Sequence, residues 1–438
     1  MLLGYEELII YRNFDPRGII PVVCDAVRTM QAGEHVETHR DRLMGALAGL
    51  IGCCVERGLY GDLWAAYVAD CLANHENAFS MGNEAGGTAD AGVESLCLHD
   101  MAVIDRIVHA DVSGLLGQMA LEHLKVMLDY PRPDGSSTYE EHVREGISEL
   151  ARGLKQANGA GEVRDVLGGF ISSYGAGCLG LHRAFMAERD SEGCLRIVPV
   201  LRMIRMTLDD LIGYEIPKAR LVENTVSFLE KRPANNCLLY GDAGTGKSSC
   251  IRAIATQYYS RGLRVIQVGR DQYDLLGGLI AEIKNRNYRF IIYMDDLSFE
   301  EFETDYKYLK AVIEGGLEQR PSNVLIYATS NRRHLIRENS SDRNDRDEDM
   351  HRSDTMSEKL SLSQRFGVSI YFGSPGKKEY DAIVKALAER EGIDMPEDEL
   401  LLEANKWELS HSGRSGRTAR QFVDHLLGRP AWDSEEKE

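Results

Sequence analysis

The sequence predicts an α/β fold, in which a parallel sheet flanked by helices follows a mainly helical region and precedes a smaller helical one. Three observations point there. Residues 241–248 read Gly241-Asp242-Ala243-Gly244-Thr245-Gly246-Lys247-Ser248, a glycine-rich loop between an apolar run and a helical pattern. Residues 290–296 read Phe290-Ile291-Ile292-Tyr293-Met294-Asp295-Asp296, an apolar run that ends in two carboxylates. Between about Arg202 and Gly373, short β-rich runs alternate with segments of helical period, the signature of strands joined through helices.

The elements follow in order. With 438 residues, two or three domains are expected. Residues 1–201 are read as a mainly helical domain for recognising a partner, with apolar residues three and four apart around Gly49–Asp70 and Leu98–Asp129. Leu115, Met119, Leu121, Leu124 and Leu128 are expected to share one broad face. Polar, turn-rich stretches at Gly82–Gly92 and Pro131–Thr138 punctuate this region. Residues 202–373 carry five expected strands, at 236–240, 264–268, 288–294, 323–328 and 368–372, and hence a five-stranded parallel sheet. A helix with Tyr306, Leu309, Val312, Ile313 and Leu317 on one face is expected among them. The charged, nearly apolar-free run 338–358 reads as a mobile surface insertion. Residues 374–438 read as a helical lid, with helices near Tyr380–Leu387, 397–409 and 418–427 and a short charged tail from Pro430.

The chemistry rests on three strand ends. The loop at 241–248 fits G-x-x-x-x-G-K-[ST] without a mismatch, and lies between strand and helix as that motif must. Glycines let backbone N–H groups wrap a phosphate, and the following helix adds its positive end. Lys247 would reach the β- and γ-phosphates of ATP and the Ser248 hydroxyl would ligate Mg²⁺, with Ser249 grouped in the same nucleotide-binding loop. Asp295 would hold the hydrated Mg²⁺ and Asp296 would orient or deprotonate the attacking water. Aspartate at that second position, one methylene shorter than glutamate, is expected to make hydrolysis slow. The next strand ends in Thr329-Ser330-Asn331, and Asn331 is the candidate for holding water near the γ-phosphate. Arg365, before the fifth strand, would act as an arginine finger in a neighbour's site. Arg417 or Arg420, at the start of the last helix, would contact the γ-phosphate in cis.

These motifs and their spacing resemble the AAA+ superfamily of ATPases. More closely, the chain resembles a bacterial family known as domain of unknown function 815. The segments that carry the likeness include 208–215, 238–242, 295–300, 314–318, 327–335, 359–362 and 414–417, which together reach from about Leu208 to Leu427. The resemblance implies the AAA+ strand order, a lid closing over nucleotide, and an adenine pocket lined by Leu211, Ile212, Gly213 and Tyr214. It also implies that an Asp-Asp pair is usual. Gln364 departs from the aspartate that the family tends to place beside the finger.

Composition bounds the function. The apolar fraction of 43% supports packed cores, and a net charge of −18 disfavours autonomous nucleic-acid binding. Nine cysteines with no C-x-x-C pair argue against a zinc site or a disulfide framework and for buried thiols in a reducing compartment. No signal peptide is read at the N-terminus, and the longest apolar runs, Leu43–Val55 and Val166–Leu181, are shorter than the roughly 20 residues of a membrane span. A cytoplasmic location without membrane contact is expected. The leading expectation is a ring-forming ATPase that remodels a protein client. The alternatives are a slow ATP-dependent switch and a loader on nucleic acid, the latter supported only by Arg332-Arg333-His334 and the 414–420 arginines. A segment at 272–278 reads as a helix start, with a polypeptide-gripping loop through Tyr273 as the less favoured reading.

Overall fold

The structure, a computed structural model, describes residues 4–34, 40–84, 90–201, 203, 206–298, 309, 313, 321–331, 365–411 and 413–429. The chain divides into two units. One comprises Met1–Arg183 with Pro199–Arg202 and Arg286–Tyr288; the other comprises Ala184–Val198, Met203–Asn285 and Arg289–Glu438. The expected insertion at 338–358, most of the helix around Tyr306–Leu317 and the tail from Pro430 lie outside the described residues.

The first unit is helical. Its centre is the helix Leu63–Asn74, in which every residue from Leu63 to Ala73 is buried. A helix apolar on all sides must be enclosed by others. Its start is set by Asp62, whose carboxylate accepts from the backbone N–H groups of Trp64 and Ala65 at 3.0 and 3.1 Å. The Trp64 indole N–H donates to the Ile107 carbonyl at 2.9 Å, which satisfies the one polar atom of a buried ring. The helix Glu141–Gln156 is amphipathic, with Val143, Ile147, Leu150, Ala151 and Leu154 buried. The single face expected across Leu115–Leu128 is not formed. The helix Val112–Gln118 stops, Ala120 takes φ 57°, and a 3₁₀ stretch, Glu122–Asp129, follows. Leu115, Met119 and Leu121 are still buried, so the apolar pattern reports burial there rather than one continuous helix.

The second unit holds a seven-stranded sheet of order β2-β1-β4-β5-β6-β3-β7. Its strands are β1 (Ala184–Arg189), β2 (Leu195–Pro199), β3 (Cys237–Gly241), β4 (Leu263–Gln267), β5 (Arg289–Met294), β6 (Val324–Ser330) and β7 (Val368–Phe372). The five expected strands are present within two residues of their predicted ends. All the pairings among them are parallel, and Leu238 of β3 stands between Ala328 of β6 and Ser369 of β7. The order β4-β5-β6-β3-β7 is the one that the resemblance implies. Strand β6 is buried at all seven positions, as a strand covered on both faces must be.

The strand count differs from the expected five. β1 and β2 come from the stretch read as helical, and β1 extends the sheet by pairing in parallel with β4, Phe185 opposite Ile266. The two strands are short and half exposed, so their period-2 signal is weak, and the edge they cover becomes visible only in the assembled sheet.

Three helices, Lys377–Arg390, Glu397–Ser410 and Gly416–Leu427, complete the second unit as the expected lid. They share a core of Tyr380, Val384, Leu400, Ala404, Phe422 and Val423, against which Ile212 and Trp407 pack. Among the described residues, no helix is long and apolar enough to cross a membrane. Seven cysteines are buried as expected, but Cys178 and Cys194 are exposed.

Candidate functional site

Parallel strands bring their C-terminal ends to one edge of a sheet, where α/β proteins place their sites. Here the ends of β3, β5 and β6 meet the start of the helix Lys247–Gln257. A cavity of about 1020 Å³ opens at this edge, lined by Ala243 to Arg252 apart from Ile251, by Asp295, Asp296, Thr329 and Asn331, and by the lid residues Arg390, Arg417 and Arg420.

The loop is held by its own geometry. Gly241 has φ 134°, and a Cβ on it would collide with the Phe372 carbonyl oxygen, so the turn out of β3 requires glycine. The Asp242 carboxylate accepts from the Ser374 backbone N–H and hydroxyl, both at 2.8 Å, and these bonds hold it below its ordinary 3.8. That contact ties the loop to the first residue of the lid. Gly241 and Asp242 therefore shape the loop without lining the cavity, whereas residues 243–249 line it.

The Lys247 ammonium is buried and donates to the carbonyls of Gly241 and Asp242 at 2.9 and 2.6 Å and to Asn331 Oδ1 at 3.2 Å. Burial pushes its pKa below the ordinary 10.5, against the pull of Asp242, Asp296 and Asp295. The sign of the resulting pH dependence follows. The folded chain releases this proton at a lower pH than the unfolded chain, so stability rises with pH between the folded pKa and 10.5. Affinity for a phosphate anion falls in the same window, as the ammonium is lost. Titrating a fluorescent ATP analogue from neutrality to about pH 10 against wild type and Lys247→Met checks this. The wild-type loss should be steep and the variant's flat.

The Ser248 hydroxyl donates to Asp295 Oδ1 at 2.8 Å, and Thr329 Oγ1 donates to the same oxygen at 2.6 Å. Burial alone would raise the Asp295 carboxyl. The hydroxyls of Thr329 and Ser248, with the Tyr293 phenol and Arg252 nearby, bring it below its ordinary 3.8 instead, so it is fully ionised at neutral pH. Asp296 follows with φ 50°, an unusual conformation for a residue with a side chain, and its N–H donates to Thr329 Oγ1 at 3.0 Å. Asn331 Nδ2 donates to Asp296 Oδ1 at 2.8 Å. Lys247, Asn331 and Asp296 thus form one hydrogen-bonded chain across the cavity. Ser248 and Asp295 present two hard oxygen donors next to the ammonium, a set that fits Mg²⁺.

Leu211, Ile212 and Tyr214 line the apolar end of the cavity with Met206, Ile383 and Leu387. Gly213 lies between them with φ 79° and is not a lining residue. Tyr214 starts the helix Glu215–Leu229 at φ 60°, and burial raises its phenol to about 12. From the lid, the Arg417 N–H donates to the Gly244 carbonyl at 3.2 Å, so the last lid helix begins on the glycine-rich loop. Its guanidinium has no partner among the described residues. Arg420 lines the cavity too but is paired with Glu391 and Asp424 at 2.7 and 2.9 Å. Arg365 stands before β7 and does not line the cavity of its own chain. Tyr273 is buried in a 3₁₀ turn, Arg270–Leu275, which is the helix-start reading and leaves no exposed ring to grip a polypeptide.

Several residues of this site escape sequence reasoning. Thr329, named at the end of the strand but given no role beside Asn331, donates to Asp295. Arg252 lines the cavity one helical turn beyond Ser248, a spacing of four that would have found it. Arg390 and Asp210 form an ion pair at 3.1 Å between the lid and the segment before the loop, and no local pattern announces it.

The family profile described as "Protein of unknown function (DUF815)" matches residues 181–430. No curated protein is significantly similar in sequence. Among solved structures, the Holliday junction branch migration motor RuvB of Thermotoga maritima is similar over 51% of this chain and 72% of that one, at 15% identity and a TM-score of 0.32. The FIGL-1 AAA domain in complex with ADP is similar over 50% of this chain and 72% of that one, at 18% identity and a TM-score of 0.35. Likenesses so distant carry no argument about activity; the architecture rests on the strand order and the lid.

Proposed function

The chain belongs to the DUF815 family of proteins of unknown function, and from that premise and the cavity we propose that it binds ATP with Mg²⁺ and hydrolyses it between subunits of a ring, to remodel a protein partner. The observation that carries the proposal is the convergence of Lys247, the Ser248–Asp295 pair, Asn331 and Arg417 on one cavity that the lid borders. The apolar slot of Leu211, Ile212 and Tyr214 takes the base. The N–H groups of residues 243–248 and the Lys247 ammonium take the phosphates. Ser248 and Asp295 hold Mg²⁺, which when bound neutralises charge on the phosphate oxygens. Asp296 accepts the proton of the attacking water while Asn331 orients that water. Arg417, unpaired among the described residues, is favoured over the carboxylate-bound Arg420 as the cis contact. Residues 1–201 supply partner recognition.

Arg365, outside its own cavity, acts on a neighbouring subunit. Turnover per subunit is expected to rise with protein concentration in wild type. Arg365→Ala is expected to lower it by roughly 10³-fold at saturation, the scale of a lost arginine finger. Concentration-independent turnover that survives Arg365→Ala would sink both the finger and the ring.

The slow switch is the second reading. It is favoured by the Asn331 amide already engaging the short Asp296 side chain. A turnover number well below about 1 per second supports it over a motor. The loader reading is weaker. Arg414 and Arg420 are bound to carboxylates, and Arg332–His334 lie outside the described residues.

A further inference from the structure

The helical unit has a cavity of its own, of about 210 Å³, between the loop that precedes the helix Ile19–Gln31 and the helices Arg40–Arg57 and Leu63–Asn74. Its walls include Phe14, Pro16, Cys53 and Cys71, and its cations are Arg17 and Arg57. Burial pushes the Cys71 thiol above its ordinary range, so it is a neutral wall and not a nucleophile.

The charges around this cavity have been assigned unequally. Asp15 is buried and fully used: its oxygens accept from the Tyr67 hydroxyl at 2.7 Å and from the N–H groups of Arg17 and Ile20 at 3.1 and 2.6 Å. Asp70, at 0% exposure, accepts from Tyr139 and Asn74 and is paired with Arg57. Neither carboxylate lines the cavity. His75, which does, has Nδ1 engaged by Asn77 at 3.0 Å and is kept neutral by burial. Arg57, three-quarters buried, pairs one N–H with Asp70 and stands over the Tyr139 ring at 5.7 Å, and its other donors have no hydrogen-bond partner among the described residues. Arg17, on the exposed rim, has no side-chain partner among them either. Two guanidiniums with spare donors therefore share a small cavity whose other walls are Phe14, Pro16, Cys53 and Cys71 together with the polar groups of Asn13, Tyr67, Asn74 and His75. A guanidinium fork matches the two oxygens of a carboxylate, and pairing is strong where water is excluded.

We infer that this cavity binds a small organic carboxylate, its anionic group on Arg57 and Arg17 and its carbon frame against Phe14, Cys53 and Cys71. The site lies within the helical unit and uses no residue of the nucleotide cavity. A metabolite bound there would act on the unit assigned to partner recognition.

The test titrates the full chain with succinate, acetate and inorganic phosphate, read by calorimetry and by the melting temperature. Saturable binding of a carboxylate is expected. Arg17→Ala and Arg57→Lys should each weaken it about tenfold, the effect of losing one charge-assisted contact. Arg57→Lys keeps a cation for Asp70, so folding is preserved where Arg57→Ala would strand a buried carboxylate. Binding of a fluorescent ATP analogue should not change in either variant, which separates this site from the P-loop, and a melting temperature without ligand equal to that of wild type reports the fold. Absence of saturable binding, binding in both variants as tight as in wild type, or a preference for phosphate over both carboxylates would each overturn the assignment.

Discussion

Lys247→Ala is expected to reduce ATP turnover by roughly 10²–10³-fold, the scale of removing one preorganised charge donor. The ammonium carries the only side-chain positive charge that the loop itself brings to the phosphates. It is already positioned by the carbonyls of Gly241 and Asp242 and by Asn331. Its removal costs affinity as well as rate, so a fluorescent ATP analogue should bind more weakly in proportion. The fold should survive, because alanine keeps the helix start, and the three acceptors left behind face a cavity open to water. A variant that turns over ATP within a few-fold of wild type would mean that the phosphates do not sit on this loop.

Asp296→Asn is expected to separate binding from hydrolysis. Asparagine keeps the size of the side chain and an oxygen for the Asn331 amide, but it cannot accept a proton. Loss of a general base costs roughly 10²–10⁴-fold in rate, while ATP affinity should stay within a factor of a few. The same change at Asp295 should behave differently. Asp295 accepts from Ser248 and Thr329 and is proposed to hold the metal, so Asp295→Asn should lose Mg²⁺-dependent affinity along with rate. Nucleotide affinity with and without Mg²⁺, measured beside turnover, distinguishes the two aspartates. Equal losses of affinity in both would show that Asp296 serves binding and not proton transfer.

Much of this site was legible before any fold was known. The loop at 241–248, the two aspartates after β5 and Asn331 after β6 are contiguous patterns, each a strand end or a strand–helix junction whose residue types follow from local backbone needs. Glycine at 241 is forced by a turn, and four of the five parallel strands, β3, β4, β5 and β6, read as apolar runs because both their faces are covered, whereas β7 is partly exposed. The lid helices were equally plain, since one amphipathic period per helix reports which face is buried.

The remainder was decided by contacts distant in sequence. Ser248 and Asp295 are 47 residues apart, and Asp242 and Ser374 are 132 apart. No window of sequence contains both partners of either pair. The proposed preference for Arg417 over Arg420 rests on the carboxylates that Arg420 meets in the folded lid. β1 and β2 were missed because a short, half-exposed edge strand has little pattern of its own and gains its identity from β4. The second cavity was invisible for the same reason: Arg57 is an ordinary helix-terminal arginine until Asp70, Arg17 and the apolar walls are folded around it. Local chemistry therefore determined what the loop, strands and lid are made to hold, and only the packed chain determined which charges are spent on structure and which are left to meet a ligand.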